Sequence, residues 1–287
     1  MDAAMRLLAW YRQTTTAYRK MERKVSYETI EFEMRSSVAW ITLNRPKSFN
    51  SLNLAMAKEL CDLSIRLGED KNVRAVIMTG SGEAAYCAGG DIPSFANNLE
   101  SLPILLKEMT TYLHMAISRF AWMRAPMIAA VNGVAAGAGL SMVACTDLAI
   151  AVEGASFTSA YTKIGLSPDG SSTYYLPRII GTRRTAELYM TNRVLNTQEA
   201  LEWGLINKIV PAADLVAEAE KLANQLADSA TEAMGAVKEM LLTSSTDSLE
   251  SQMERETRNI ARLGGTSDGR EGIDAFLNKR KPAFTGN

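Results

Sequence analysis

The sequence predicts an α/β fold, a core of parallel strands followed by a helical C-terminal region. Three observations carry this. Short continuous apolar runs, "VRAVIMTG", "MIAAVNG" and "DLAIAV", end in glycine or polar residues, as strands buried on both faces do. Helical patterns separate those runs, and strands alternating with helices build a parallel sheet. After residue 183 the pattern is helical almost throughout.

The first twenty residues, "MDAAMRLLAWYRQTTTAYRK", are basic and mildly amphipathic. Asp2 and the lack of a small-residue cleavage site argue against a secretory signal. Residues 1–24 are expected to be an N-terminal extension, residues 25–215 an α/β core and residues 216–287 a helical region. In the core, Ile30, Phe32 and Met34 alternate with charged residues, "RSS" turns and "VAWITL" follows, which reads as a hairpin over 28–43. Pro46 prevents a central strand from continuing. Leu52, Met56, Leu60, Leu63 and Leu67 then mark one face of a helix, with Asn50 or Ser51 as its expected cap.

A strand over 73–80 comes next, then a helix near 103–122 carrying Leu106, Met109, Leu113, Ala116 and Phe120. "MIAAVNG", a Gly/Ala helix from about 137, and "DLAIAV" complete the alternation. Among the later helical patterns only "LINKIVP" is short and sharply bounded. No low-complexity linker separates core from C-terminal region, so the two are expected to pack together.

Composition narrows the function. Of 287 residues, 47% are hydrophobic and 22% charged, with a formal net charge of −1, which favours neither nucleic acid nor a membrane surface as partner. No apolar run approaches the ~20 residues of a membrane-spanning helix. Cys61, Cys87 and Cys145 are widely spaced without a metal-ligand pattern, pointing to a reducing, cytoplasmic setting and no metal. His114 is the single histidine, so chemistry needing two imidazoles is excluded.

Two glycine-rich turns carry the chemical interest, "YCAGGD" (86–91) and "NGVAAGAGLS" (132–141). Glycine at a strand-to-helix junction lets a ligand approach backbone N–H groups, which at a helix start are unpaired and favour negative charge. Two such turns facing each other can hold a developing oxyanion. Neither turn matches a dinucleotide or Walker fingerprint. Asp169, in "IGLSPDGSSTYYLPRIIG", reads locally either as a turn or capping aspartate or as a functional carboxylate.

Taken in order and spacing, "RP" at 45–46, "CAGGD", "AAVNGVAAGAGL", "FTSAYTKIGLSPDG", "LPRIIG", "EALEWGLINKIV" and "REGIDAFLNKRKPAFTG" resemble the crotonase (enoyl-CoA hydratase/isomerase) superfamily over nearly all of residues 25–287. The resemblance implies a ββα-superhelix core with a helical C-terminal trimerisation region, a homotrimer or dimer of trimers, and acyl-CoA thioester substrates with no other cofactor. It also implies an oxyanion hole from the N–H groups of Ala88 and Ala138, with Gly89 and Gly137 beside the substrate. Alanine at 138, where glycine is more frequent, requires only a negative φ. Asp91 and Asn132 are expected to shape the turns.

The two glutamates that hold water in hydratases are replaced here by Ser141 and Tyr161. Asp169 is then the remaining carboxylate of the expected pocket, and burial beside Leu166 and Tyr161 is expected to help it exchange protons. By resemblance to double-bond isomerases, including the ring-epoxide phenylacetyl-CoA type, Asp169 shuttles a proton. By resemblance to 4-chlorobenzoyl-CoA dehalogenases, it attacks carbon, with His114 assisting water and Tyr161 standing where those enzymes have tryptophan. A hydratase and a non-catalytic acyl-CoA-binding protein are the further alternatives. Arg45, Lys47 and Lys279 are the expected CoA phosphate contacts, and residues 92–115 the expected pocket lining.

Overall fold

The computed structural model describes residues 26–287, so the expected N-terminal extension lies outside the described residues. The hairpin forms from β1 (Ile30–Arg35) and β2 (Val38–Leu43), antiparallel and closed by the Arg35–Val38 pair. β2 continues into a larger sheet with β3 (Ala75–Gly80), β5 (Met127–Val131), β7 (Leu148–Val152) and β10 (Lys208–Val210). Its order is β1-β2-β3-β5-β7-β10, and every pairing beyond the hairpin is parallel.

The apolar runs of β3, β5 and β7 follow from cover on both faces. On one side, Leu60 of α1 (Leu54–Glu69) meets Leu113 and Phe120 of α3 (Leu102–Trp122) against Met78 and Met127. On the other, α8 (Leu215–Ala227) lies against β3, β5 and β7. Its buried Ala219 and Ala223 have no bulk to hold that helix away. Thus α8, the first helix of the expected C-terminal region, packs on the sheet itself.

The helix cap is Asn53, whose side chain accepts from Met56 N at 2.9 Å, and not Asn50 or Ser51 as the sequence suggested. Asn50 is buried and spends its amide on the carbonyls of Ser81 and Ala85, while Ser51 Oγ donates to Ser48 O. "LINKIVP" contains β10, a strand.

A second sheet, of order β4-β6-β8-β9, was not foreseen. Its strands are β4 (Ala85–Cys87), β6 (Val134–Ala136), β8 (Ser156–Thr158) and β9 (Leu195–Asn196), too short for side-chain alternation to register. β4 and β6 run parallel, pairing Ala85 with Val134 and Cys87 with Ala135. Their C-terminal ends therefore lie side by side, and the two glycine-rich turns leave from those ends. In open α/β sheets this is where ligands bind.

Toward the C-terminus come α9 (Thr231–Thr243), α10 (Leu249–Gly264) and α11 (Ser267–Leu277). The final residues fold back on the core. The buried Asp268 carboxylate accepts from the N–H groups of Thr285 and Gly286, and Arg74 and Arg124 donate to the carbonyls of Phe284 and Gly286. Among the described residues no helix is long and apolar enough to cross a membrane.

Candidate active site

From β4 the chain runs through Ala88, Gly89 and Gly90 into α2 (Ile92–Ala96). From β6 it runs through Gly137 into α4 (Ala138–Ala144). Both turns need glycine. Gly89 has φ +101° and a Cβ there would lie 3.1 Å from Ala136 O, while Gly137 has φ +50° and a Cβ there would lie 3.4 Å from Gly89 Cα. The turns stand against each other, and it is their positive φ values that call for glycine.

Their N–H groups differ in what they already hold. The N–H of Ala88 donates to Phe49 O at 3.0 Å, so it is occupied, contrary to the oxyanion role expected of it. One turn further on, Leu52 uses its own N–H and C=O to bond Gly89 O at 2.7 Å and Asp91 N at 2.9 Å. In that parallel bridge the N–H of Gly90 faces away from Leu52. Among the described residues it donates to nothing, and Gly90 lines the adjoining cavity.

Ala138 opens α4, where helical geometry leaves its N–H without an intrahelical acceptor, and it too lines the cavity. Its φ is not positive, as an alanine there requires.

Asp91 and Asn132 serve as turn-shapers. Asp91 caps α2 through Ser94 N at 3.2 Å, and Asn132 accepts from Gly80 N at 3.0 Å while donating to Gly82 O at 2.7 Å. Arg45 belongs to this support. It pairs with Asp91 at 2.6 Å and donates to Ser51 O at 2.6 Å, so its guanidinium is committed to the protein and it does not line the cavity. Lys47 and Lys279 are exposed and do not line it either.

The cavity has a volume of about 340 Å³. Phe95, Leu106, Met109 and Leu166 give it apolar walls, and Tyr161 and Asp169 stand with Gly90 and Ala138 around it. Its walls draw on the 92–115 segment through Ile92, Phe95, Leu106 and Met109. Lys107 and Lys163, exposed at its edge, were not singled out from sequence. Solvated lysines carry no local signal until the fold brings them to one opening.

The Pro168–Asp169–Gly170 segment precedes α5 (Ser172–Ile179). The local work of a cap is done by the Asp169 main-chain carbonyl, which accepts from Ser172 N at 3.3 Å and from Ser172 Oγ at 2.8 Å. Its carboxylate is left for the cavity, where Tyr161 Oη donates to Oδ1 at 2.5 Å. Leu166 does lie beside it on the cavity wall, but Tyr161 is a hydrogen-bond donor to Asp169 and not simply apolar cover. Fully buried Ser141 donates to Asp169 O at 2.9 Å and lies 3.2 Å from Tyr161 Oη. Burial, then the charge of Asp169 and the hydrogen bond to it, push the Tyr161 phenol well above its ordinary range. It stays a protonated donor.

His114 lies behind this turn and does not line the cavity; its Nε2 accepts from Gly170 N at 3.1 Å. Cys87, beneath the first turn, is pushed up to about 11 by burial, so a thiolate has no part at neutral pH. A larger hollow of about 520 Å³ lies beside α9, but its Lys238 is already bound to Asp147 and to the carbonyls of Phe120 and Ala125. Among the described residues no group of three or more His, Cys, Asp or Glu could hold a metal.

An unspent pair of N–H groups beside a carboxylate, in an apolar cavity, can stabilise an enolate and move a proton. The model for enoyl-CoA hydratase/isomerase matches residues 33–287. The chain is 36% identical over 263 residues to 1,2-epoxyphenylacetyl-CoA isomerase of Escherichia coli (strain K12), covering 90% of this chain and 99% of that protein. It is 35% identical to 4-chlorobenzoyl coenzyme A dehalogenase-2 of an Arthrobacter species, over 87% of this chain and 91% of the other. The crystal structure of an enoyl-CoA hydratase from Polaromonas sp. JS666 superposes with a TM-score of 0.85 at 32% identity, covering 89% of this chain and 99% of that one. The chain therefore belongs to the enoyl-CoA hydratase/isomerase (crotonase) family and is an enzyme of acyl-CoA thioesters.

Proposed function

We propose that this enzyme is an acyl-CoA thioester isomerase in which Asp169 carries the proton. The observation behind the reading is that, among the described residues, Asp169 is the one carboxylate lining the cavity that holds the unspent N–H groups of Gly90 and Ala138. The thioester oxygen sits between those two donors, with Gly90 in the place expected for Ala88. Asp169 takes a proton from the acyl chain, and the C–H electron pair moves into the carbonyl system to form an enolate. Two fixed donors lower the energy of that charge by an amount on the order of several kcal/mol. The protonated carboxyl then returns its proton at a different carbon, and the double bond has moved.

Water addition is disfavoured because Ser141 and Tyr161, at the glutamate positions, are both committed to Asp169 and neither is a base at neutral pH. The nucleophilic reading needs a base at the attacking face, whereas His114 is engaged with Gly170 N outside the cavity. Lys107 and Lys163 are the cations we assign to the CoA phosphates. Exposed Leu249, Met253, Ile260, Ile273 and Phe276 on α10 and α11 support a homotrimer or dimer of trimers. Three free cysteines, all buried, suit a cytoplasmic setting.

The test is a panel of acyl-CoA thioesters incubated in heavy water, with deuterium uptake at the α- and γ-carbons followed by mass spectrometry. Wild type is expected to exchange at least one member and Asp169→Asn none. Normal exchange by the folded Asp169→Asn protein would overturn the proposal, and failure of wild type to bind any thioester would revive the non-catalytic reading.

A further inference from the structure

We infer that Tyr161 is a positioning residue that divides the labour between the two oxygens of Asp169. It holds Oδ1 and leaves Oδ2 as the single oxygen that takes and returns the substrate proton. The inference rests on Asp169 being the acid/base group.

Tyr161 Oη donates to Oδ1 at 2.5 Å, while among the described residues Oδ2 makes no hydrogen bond. Ser141 fixes the other side of the arrangement, meeting both Tyr161 Oη and the Asp169 carbonyl. On the reverse of the turn, the N–H of Gly170 is anchored on His114 Nε2. The carboxylate is therefore held through its main chain on both sides and through one of its oxygens. What remains free is one lone-pair edge, on a residue that lines the same cavity as Gly90 and Ala138.

The chemistry gives this hydrogen bond a direction. A phenol donating to a carboxylate stabilises the charged form more than the neutral acid. It thus keeps Asp169 ready to accept a proton at the start of the cycle. Once Oδ2 carries the substrate proton, the same bond favours giving it up. The O–H bond on Oδ2 breaks as the C–H bond at the new carbon forms, and the enolate electron pair takes the proton. No other reactant is needed, and Tyr161 keeps its own proton throughout.

The titratable groups around Asp169 are Tyr161 from its own loop, Tyr189 from α6 (Thr182–Thr191), His114 from α3 through Gly170, and Lys107 and Lys163 on the cavity they share with it. Among the described residues only Tyr161 hydrogen-bonds the carboxylate, so Tyr161→Phe isolates the effect.

The experiment uses the substrate identified by deuterium exchange and compares wild type, Tyr161→Phe and Asp169→Asn. Tyr161→Phe is expected to lower kcat about tenfold with KM changed less than twofold. Thermal unfolding and circular dichroism confirm that each variant is folded. An unchanged kcat in a folded Tyr161→Phe enzyme, with Asp169→Asn inactive, would overturn this inference and leave Asp169 as the base. An active Asp169→Asn would instead remove the reading beneath it. If Tyr161→Phe is poorly folded, Ser141→Ala provides the second variant, since it removes the contact to Tyr161 and leaves the phenol. Its kcat should then fall by less than that of Tyr161→Phe, and an equal fall would refute the division of roles.

Discussion

The N–H of Ala88 donates to the carbonyl of Phe49 at 3.0 Å, whereas the N–H of Gly90 in the same turn donates to nothing among the described residues. The difference between these two donors is made by main-chain pairing. Leu52 claims the groups on either side of Gly90, and Gly90 faces the cavity with Ala138 across from it.

Ala138→Pro tests that pair directly. Residue 138 is the first of α4, a position where proline is accommodated without loss of a helical hydrogen bond. The substitution deletes one oxyanion donor, so kcat should fall by about 10²–10³-fold with the fold retained. Steady-state kinetics and a thermal melt check both halves. Unimpaired turnover would mean the oxygen binds elsewhere.

His114 separates anchoring from base catalysis. His114→Ala leaves the N–H of buried Gly170 without its acceptor, at a cost of about 1–3 kcal/mol in stability. Turnover is expected to drop less than tenfold, and His114→Gln, which keeps an acceptor, should recover part of both. A loss comparable to that of Asp169→Asn in each variant would argue for a base.

Arg45→Met distinguishes support of the turn from contact with CoA. Asp91, with a side chain 9% exposed, would lose its cation. Breaking a buried pair costs about 3–5 kcal/mol, and the lower end is expected because Arg45 is 19% exposed. Urea unfolding should report that loss. A raised KM with unchanged stability would return Arg45 to the role of phosphate ligand.

Tyr161 also sets a pH dependence of stability. Its phenol lies above the ordinary value of 10.0 in the folded protein, so the unfolded chain releases that proton first. The stabilising contribution is full below about pH 10 and is lost as pH rises further. Tyr161→Phe should make the decline between pH 9 and 11 shallower, measured by urea unfolding at each pH. A slope equal to that of wild type would count against the burial of this phenol.

The larger elements were readable because their periodicity is long. The apolar runs of β3, β5 and β7 and the stripes of α1 and α3 each extend over enough residues to separate strand from helix. The second sheet was not readable, since strands of two or three residues show no period. The Asn53 cap was missed because three polar residues, Asn50, Ser51 and Asn53, lie close together. Only packing decides which of them is drawn inside.

For the site, the residues themselves pointed to the two glycine-rich turns, while Asp169 and the loss of both hydratase glutamates stood out only through the resemblance to the crotonase family. The sequence alone could not say which N–H group is free, which oxygen of Asp169 is held, or that Arg45 is spent on Asp91. Those depend on hydrogen-bond partners that lie far apart in sequence. A backbone donor looks identical at Ala88 and Gly90 until Phe49 and Leu52 come within reach, and tertiary structure made that choice.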